Sequence, residues 1–392
     1  GVALKQNIKN IWWKRFVDGR DDMYGTDASI LMNSRVWQSS GHISGFSDPL
    51  SDCEDCKKRF RTDVLEKRVC PECGGKLGES RQFNMMFETK IGAMEDSSAT
   101  VYLRPETAQG MFVNFKNVQQ TSRKKLPFGI AQIGKAFRNE ITPGNFIFRV
   151  LEFEQMEIEY FIEEQTWQET FAMWQEEMQK WLVDILGIKK ENFIVREHEK
   201  SELSHYSKRT IDFEYKYPFG QKELYGLAYR TNFDLTAHKL DLDGYAPHVI
   251  EPTFGVDRTL LAVLCDAYSE EGERVVLKLK PSLAPYKVAV FPLLANKPEL
   301  VSKAREVFEM LKNDFMTAWD DRGNIGKRYF SQDEIGTMAC VTCDFQTLED
   351  DNVTLRDRDS MLQIRVRVVD LKDKINQMLR GVKFSALGET IK

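Results

Sequence analysis

Two stretches of this chain carry residue types at spacings that could do chemistry. The first is SDCEDCKKRFRTDVLEKRVCPECGGKL, where Cys53-x-x-Cys56 and Cys70-x-x-Cys73 form two knuckles about a dozen residues apart. Such knuckles bring four thiolates into the tetrahedron that Zn²⁺ prefers, and Pro71, Gly74 and Gly75 suit the tight turns this needs. A metal there would be structural, supplying about 10 kcal/mol of local folding free energy to a ribbon with little core of its own. The competing reading is two reduced, redox-sensitive pairs. A third pair, Cys340-x-x-Cys343 in TMACVTCDF, falls in an expected strand, where positions three apart face opposite sides, so core cysteines are expected there.

The second stretch is FRNEITPGNFIFRVLEFEQMEIEYF, residues 137–161, which reads as strand, turn, strand with Thr142, Pro143, Gly144 and Asn145 in the turn. Alternation puts Arg138 with Glu140 on the first strand, and Arg149, Phe153 and Glu157 on one face of the second. Val150, Met156, Ile158 and Tyr160 share the other face, interrupted by Glu152 and Glu154. Cross-strand ion pairs would account for such a surface. So would a bound nucleotide and amine, because arginine forks oxyanions, phenylalanine stacks on a base and glutamate accepts from amino groups.

These groups need elements to hold them. A chain of 392 residues suffices for two or three domains with a substantial core, and 42 % apolar with 29 % charged residues excludes disorder as the main state. The formal net charge of -5 argues against a general nucleic-acid coater, so a polyanion would have to be met by local basic patches. No apolar run approaches the roughly 18 residues that span a bilayer, and the start GVALKQNIKNIWWKRFV is amphipathic rather than a signal peptide. A cytoplasmic protein with no membrane partner is expected, in keeping with an odd count of seven cysteines.

Along the chain, an amphipathic helix is expected over 4–16, and VYLRPETAQGMFVNF as a strand entering a helix with Pro105 in its first turn. Trp167, Phe171, Trp174, Met178 and Leu182 line one face of a further helix, as core rather than a ligand box. Strands are expected in IDFEYKY and ELYGLAYR, and VIEPTFG should lead into a helix, VDRTLLAVLCDAY. LKLKPSLAPYKV, with two prolines, reads as a linker. Beyond it, VAVFPL, KRYF, ACVTCDF, VTLRDR and QIRVRV read as strands, with helices in ELVSKAREVFEMLKNDF and near 370–380.

FRNE followed by RVLEFEQME resembles the second signature motif of class II aminoacyl-tRNA synthetases, and EPTFGVDR resembles the third. LRPETAQGMFVNFKNV, PFGIAQIGKAFRNEITPGNF and NIGKRYFSQDEIGT are similar to the homodimeric glycyl-tRNA synthetase family, and the likeness covers nearly the whole chain. It implies an α+β fold, a class II synthetase antiparallel sheet flanked by helices. The catalytic domain would span 1–280, with a zinc-ribbon-like insertion at 51–80 and a helical and strand insertion at about 162–220; an α/β anticodon-binding domain would span 281–392. The implied reaction has two steps: glycine attacks the α-phosphorus of ATP, with Mg²⁺ helping, and glycyl-adenylate then charges the 3' end of tRNA(Gly). A homodimer joined through SGHISGFSDPL is implied too, and the lack of GxxxxGK[ST] agrees with ATP bound on a sheet rather than in a P-loop.

Carried onto matching positions, the resemblance makes Arg138, Glu140 and Arg258 catalytic. Arg138 would hold the α-phosphate and the glycine carboxylate, Glu140 would accept from the adenine amino group, and Phe153 would stack on the adenine. Arg149 and Arg258 would grip the outer phosphates; Asn139, Phe148, Leu224 and Gly255 would complete the ATP site, and Glu223 would contact Mg²⁺ and ATP. Glycine would be bound by Glu106, Glu157 and Glu251, with Thr253, Phe153 and Arg61. Arg258 lies in a helix's first turn, where the dipole disfavours a cation unless an anion is near, whereas Glu106 in a first turn would be favourable for stability alone. Leu151 stands where the family is usually basic, and Thr253 where it commonly has serine. In the last domain Lys327, Arg328, Arg356 and Arg358 are candidate contacts for tRNA phosphates, or ordinary solvated charge. The alternatives are another class II synthetase, and a catalytically inactive relative acting as an RNA-binding or polymerase accessory subunit.

Overall fold

The computed structural model describes residues 1–63, 65, 67–92 and 100–391. The chain forms two compact units, one of Lys9–Lys180 and Lys190–Leu261, the other of Gly1–Ile8, Trp181–Lys189 and Ala262–Lys392. The first is built on a seven-stranded sheet: β1 (Met23–Gly25), β2 (Phe128–Phe137), β3 (Glu152–Ile162), β4 (Phe193–Glu197), β5 (Arg209–Tyr217), β6 (Gly220–Thr231) and β7 (His248–Gly255), in the spatial order β1-β2-β3-β7-β6-β5-β4. All neighbours are antiparallel except β1 and β2.

Register decides what meets on this sheet. β2 and β3 pair from Phe128 opposite Phe161 to Phe137 opposite Glu152; Thr253 on β7 lies opposite Glu157 on β3 and opposite Gly226 on β6. Met156, Ile158 and Tyr160 point to one face, with Phe254 of β7. That face is covered by aromatics: Trp12 of helix α1 (Val2–Trp13) lies 5.7 Å from Phe254, and Trp174 of helix α3 (Trp167–Lys180) lies 5.4 Å from Tyr160. On the opposite face the polar run Phe153, Gln155, Glu157, Glu159 ends at Phe161. Helix α2 (Ala108–Val113) closes that end, packing Ala108, Met111 and Phe112 against Phe128, Ile130, Phe161 and Val249. The polar part of the face is left for chemistry.

Several expectations change. The hairpin strands stop at Phe137 and resume at Glu152, so Arg138, Glu140 and Arg149 stand on a connection rather than on strand faces. Within it Gly144 and Arg149 exchange both backbone hydrogen bonds, at 3.0 and 3.2 Å, and Asn145 and Phe146 take φ of 54° and 56°. Two consecutive left-handed residues break a period-2 backbone, which is why parity fails there. Helix α2 begins at Ala108, leaving Pro105 and Glu106 in the loop before it. KRYF is helical, inside Ile325–Glu334: the Asn324 side chain caps it by accepting from the Lys327 N–H at 2.9 Å.

In the second unit a six-stranded sheet orders Thr317–Trp319, Val288–Pro292, Ala339–Cys343, Asn352–Asp357, Gln363–Arg367 and Thr390–Ile391, the first three parallel. Cys343 packs with Val288, Val290 and the helices Pro298–Lys312 and Leu371–Leu379 on one face, Cys340 with Ala289 and Phe291 on the other. These are core cysteines, and burial pushes the Cys343 thiol up to about 12.

Candidate functional site

A cleft of about 150 Å³ opens where the 138–151 connection, the start of β3, β6 and the end of β7 converge. Phe153 lies in it as a plane, with the Arg138 guanidinium carbon 5.3 Å from its ring centroid and 5.4 Å from that of Phe46 on the other side. Arg138 is aimed by its Nε, which donates to the Pro105 carbonyl at 3.0 Å. Arg258, in the first turn of helix α4 (Val256–Ala267), reaches the same cleft. Its Nε donates to the Phe148 carbonyl at 3.3 Å, its Nη1 lies 3.2 Å from the Glu223 carboxylate, and its guanidinium sits 4.4 Å above the Phe148 ring. Phe148 is wedged against Tyr217 and Phe219, so the cation rests on a fixed aromatic floor. Arg149 and Glu140 also line the cleft, 3.9 Å apart at closest approach. Four carboxylates line the cleft with these three guanidiniums. Glu154 is paired with Lys9 at 2.9 Å and Asp257 accepts from the Glu154 N–H at 2.9 Å, so the arginines meet mainly Glu140 and Glu223, which leaves capacity for a polyanion. Leu224, Gly255 and Thr253 also line the walls.

About 13 Å along β3 from Phe153, at four residues of strand rise, the charge reverses. Glu157, Glu159 and Glu251 are buried with carboxylate oxygens all within 4.8 Å of one another. Glu157 accepts from the Thr107 hydroxyl, from Thr253 Oγ1 at 3.1 Å and from Gln155 Nε2 at 3.4 Å. Glu106 enters from the loop before α2, accepts from Gln109 at 3.0 Å and lies 3.4 Å from His42 Nε2. Burial works against its ionisation, yet His42, Arg230 and Gln109 together hold it below the usual carboxylate range. Burial, then Glu106, raises Glu157; burial, against Arg230, pushes Glu251 up to about 8, and it holds Glu159 well above the ordinary value.

The residue that organises this pocket is one sequence reasoning missed. Arg230, 2 % exposed, donates to both oxygens of Glu251 at 3.0 and 2.9 Å and to both of Asp234 at 2.7 and 2.8 Å. The β6–β7 register slips between Tyr229 and Thr231, so Arg230 is the extra residue of a bulge that re-aims its side chain. A signal was present: an arginine ending the apolar run ELYGLAYR, four residues before an aspartate, must find partners if it is buried.

Two candidates stand apart. Asn139 does not line the cleft; its N–H donates to the Met85 carbonyl at 2.8 Å. Arg61 is not brought to the acidic pocket: it is bound by Asp48 at 2.7 Å and Asp63 at 2.6 Å, on a three-stranded sheet of Ser47–Asp52, Arg59–Arg61 and Arg81–Asn84. Arg61 lies within electrostatic reach of Glu140, beside the cleft's arginine end.

Cys53, Cys56, Cys70 and Cys73 converge with all sulfurs within 4.8 Å; Cys53 and Cys73 are 3.5 Å apart, Cys56 and Cys70 3.6 Å. A ZnS₄ tetrahedron with bonds of about 2.3 Å has edges of about 3.8 Å, so the four thiols fit zinc with little movement. Burial opposes ionisation of Cys70, but the backbone amides of Cys73 and Glu72 bring its thiol down to about 7.

In the second unit, three of the four candidate RNA contacts are internal. Arg356 donates to both Asp333 oxygens at 3.0 Å, Arg358 binds the carbonyls of Gly336 and Leu279 at 3.0 and 2.8 Å, and Arg328 donates to the carbonyl of Gly323 at 2.8 Å. All three are under 5 % exposed, so they hold the fold together; Lys327 alone is exposed.

Residues 87–267 match the family model "tRNA synthetase class II core domain (G, H, P, S and T)", and residues 287–378 match "Anticodon binding domain". A prolyl-tRNA synthetase from Cryptosporidium parvum, crystallised with L-proline and AMP, shares the fold with a TM-score of 0.67 over 97 % of this chain and 72 % of its own, at 14 % identity. Sheet, cleft and both models define the class: the fold is that of a class II aminoacyl-tRNA synthetase. Closer relatives are glycine–tRNA ligases: that of Clostridium kluyveri is 50 % identical over 97 % of this chain and 91 % of its own length. Those of Acetivibrio thermocellus and Borreliella afzelii are 51 % and 47 % identical, over 95 % and 98 % of this chain. The chain belongs to the glycine–tRNA ligase family.

Proposed function

We propose that this chain activates glycine with ATP and transfers it to the 3' end of tRNA(Gly). The observation that carries the reading is the juxtaposition on one sheet face: an aromatic plane under Arg138 at the start of β3 and a buried carboxylate cage further along it. A nucleotide base stacks on Phe153, the Arg138 guanidinium reaches the α-phosphate and the amino-acid carboxylate, and Arg149 and Arg258 take the outer phosphates. Glu140 accepts from the adenine amino group. Catalysis by such a site is positioning plus stabilisation of charge on the in-line phosphate oxygens. Glu223 is the residue that would hold Mg²⁺, which when bound offsets charge on the outer phosphates.

Glu157 and Glu251 hold the glycine ammonium, with Thr253 and Glu106 beside them. Glutamates standing where a larger substrate's side chain would go reject it by clash and by desolvation. No smaller amino acid exists, so the weak discrimination against a missing methylene, about 1–3 kcal/mol, is never needed. The four cysteines hold a structural zinc, the second unit takes the anticodon, and the chain works as a homodimer in the cytoplasm. Among the described residues no helix is long and apolar enough to cross a membrane.

The test is ATP–pyrophosphate exchange across an amino-acid panel. Exchange with glycine alone supports the reading; exchange with proline, serine, threonine or histidine points to another class II specificity, and none with any amino acid to the inactive relative.

A further inference from the structure

Glu159 is the one member of the acidic pocket with no role in the account above. It is 0 % exposed, and among the described residues neither of its carboxylate oxygens has a hydrogen-bond partner. Glu157 is two residues along the same strand; on β7 the register, with Ile250 opposite Tyr160 and Thr253 opposite Glu157, places Glu251 opposite Glu159. On β2 it faces uncharged Ile130, next to uncharged Gln132. Arg230 and Asp234 approach from β6 and the helix after it, and Arg104, within electrostatic reach of Glu157, donates to the carbonyls of Lys135 and Ala28.

Five carboxylates, Glu106, Glu157, Glu159, Glu251 and Asp234, thus outnumber the cations around them: Arg230 gives its hydrogen bonds to Asp234 and Glu251, Arg104 is within electrostatic reach of Glu157, and His42 stands 3.4 Å from Glu106. A glycine ammonium adds one more positive charge, which Glu157 and Glu251 can share. An ionised Glu159 would remain buried, unpaired and beside two like charges, the costliest arrangement available. A neutral carboxyl avoids this and gains a donor, as protonated acids do in apolar sites.

We propose that Glu159 is a positioning residue of the amino-acid pocket, keeping its proton with glycine bound and donating it to the Glu251 carboxylate. The hydrogen bond fixes Glu251 from the side opposite Arg230, so that its remaining lone pair points at the ammonium; one oxygen of Glu159 lies within 4.8 Å of one of Glu251, and the hydrogen bond requires a side-chain rotation that closes this gap. This rests on the glycine-activating reading of the pocket. It also explains an acid where an apolar residue would cost less: the pocket needs a donor there, not a charge.

The experiment compares wild type with Glu159→Leu and Glu159→Gln in glycine-dependent exchange, with infrared spectra of the wild type in the protonated-carboxyl region. Leucine should raise KM for glycine about tenfold with kcat within about twofold, and glutamine, neutral and able to donate, should restore KM to within about threefold. Rescue by Glu159→Asp but not by Glu159→Gln would overturn the proposal, since only aspartate can carry a charge. The wild-type spectrum should show a protonated-carboxyl band that persists with a glycyl-sulfamoyl-adenosine analogue bound; its absence overturns the proposal even if the variants fail to fold. Saturable stabilisation of the wild type by Mg²⁺, Mn²⁺ or Ca²⁺ without ATP, lost in Glu159→Gln, would overturn it in favour of a cation site. Failure of glycine exchange in the wild type would refute the functional reading, while a protonated-carboxyl band present in the wild type and lost in Glu159→Gln would still report the proton on Glu159.

Discussion

Two buried charge clusters, one in each unit, use the same residue types to opposite ends. In the C-terminal unit Asp333 is held by Arg356 through two hydrogen bonds of 3.0 Å, with Arg274 2.9 Å from the same carboxylate. Arg274 and Arg358 have acidic neighbours of their own in Glu271 and Asp359. Charges there are matched, and the cluster needs nothing from outside. In the sheet unit one guanidinium, Arg230, serves Asp234 and Glu251, while Glu157 leans on hydroxyls and Glu159 on nothing. That cluster is acid-rich, with carboxylates raised above their ordinary range, and on the proposed reading the glycine ammonium completes it. A balanced buried network reads as architecture; an unbalanced one facing a cleft reads as a binding site.

The largest effect expected from breaking this contrast is at Arg230. Arg230→Met leaves Asp234 and Glu251 buried without their partner; unfolding in urea should show a loss of about 3–5 kcal/mol, and glycine-dependent exchange should vanish. Arg138→Ala should lower kcat/KM for exchange by about a thousandfold with an unchanged urea midpoint, because alanine keeps the backbone bonds to Leu151 and Glu140 and loses the side-chain bond to the Pro105 carbonyl. Replacing the matched group together, Arg356→Met and Arg274→Met with Asp333→Leu, should be near neutral or change stability by about 1–4 kcal/mol in the favourable direction, with exchange kinetics unaltered. Arg230→Met with Asp234→Leu should leave the enzyme inactive whatever its stability.

The smallest effect is in pH dependence. Glu251 binds its proton more tightly folded, with its pKa raised from 4.5 to about 8. Its contribution to stability is therefore complete below the unfolded value and is lost as pH rises through about 8. Glycine, whose ammonium favours the carboxylate, should release a proton on binding and stabilise the protein more at pH 8 than at pH 6, by a few degrees in Tm.

What could be read in advance follows from how local each feature is. The cysteine spacing, the aromatic helix around Trp174 and the alternation in β3 are local patterns, and the structure carries them as expected. The faces of Cys340 and Cys343 followed from strand parity alone. Parity failed at Arg138, Glu140 and Arg149 because the chain there is held by a left-handed turn, invisible to a period-2 count. In KRYF the aromatics suggested a strand, but the Asn324 cap and packing won. Burial of arginines was the hardest to foresee: Arg356, in the polar-looking LRDRD, reads as solvated charge until a carboxylate 23 residues away is known to face it. Arg230 was hidden for the same reason, its aim being set by a bulge and a partner on another strand.

The most direct test of the central claim is a crystal structure with glycyl-sulfamoyl-adenosine, an unreactive mimic of the activated amino acid. The account predicts the adenine on Phe153, the sulfamoyl group against Arg138, and the ammonium between Glu157 and Glu251. A ligand whose amino group lies away from those carboxylates, or whose base leaves Phe153 uncovered, would contradict it.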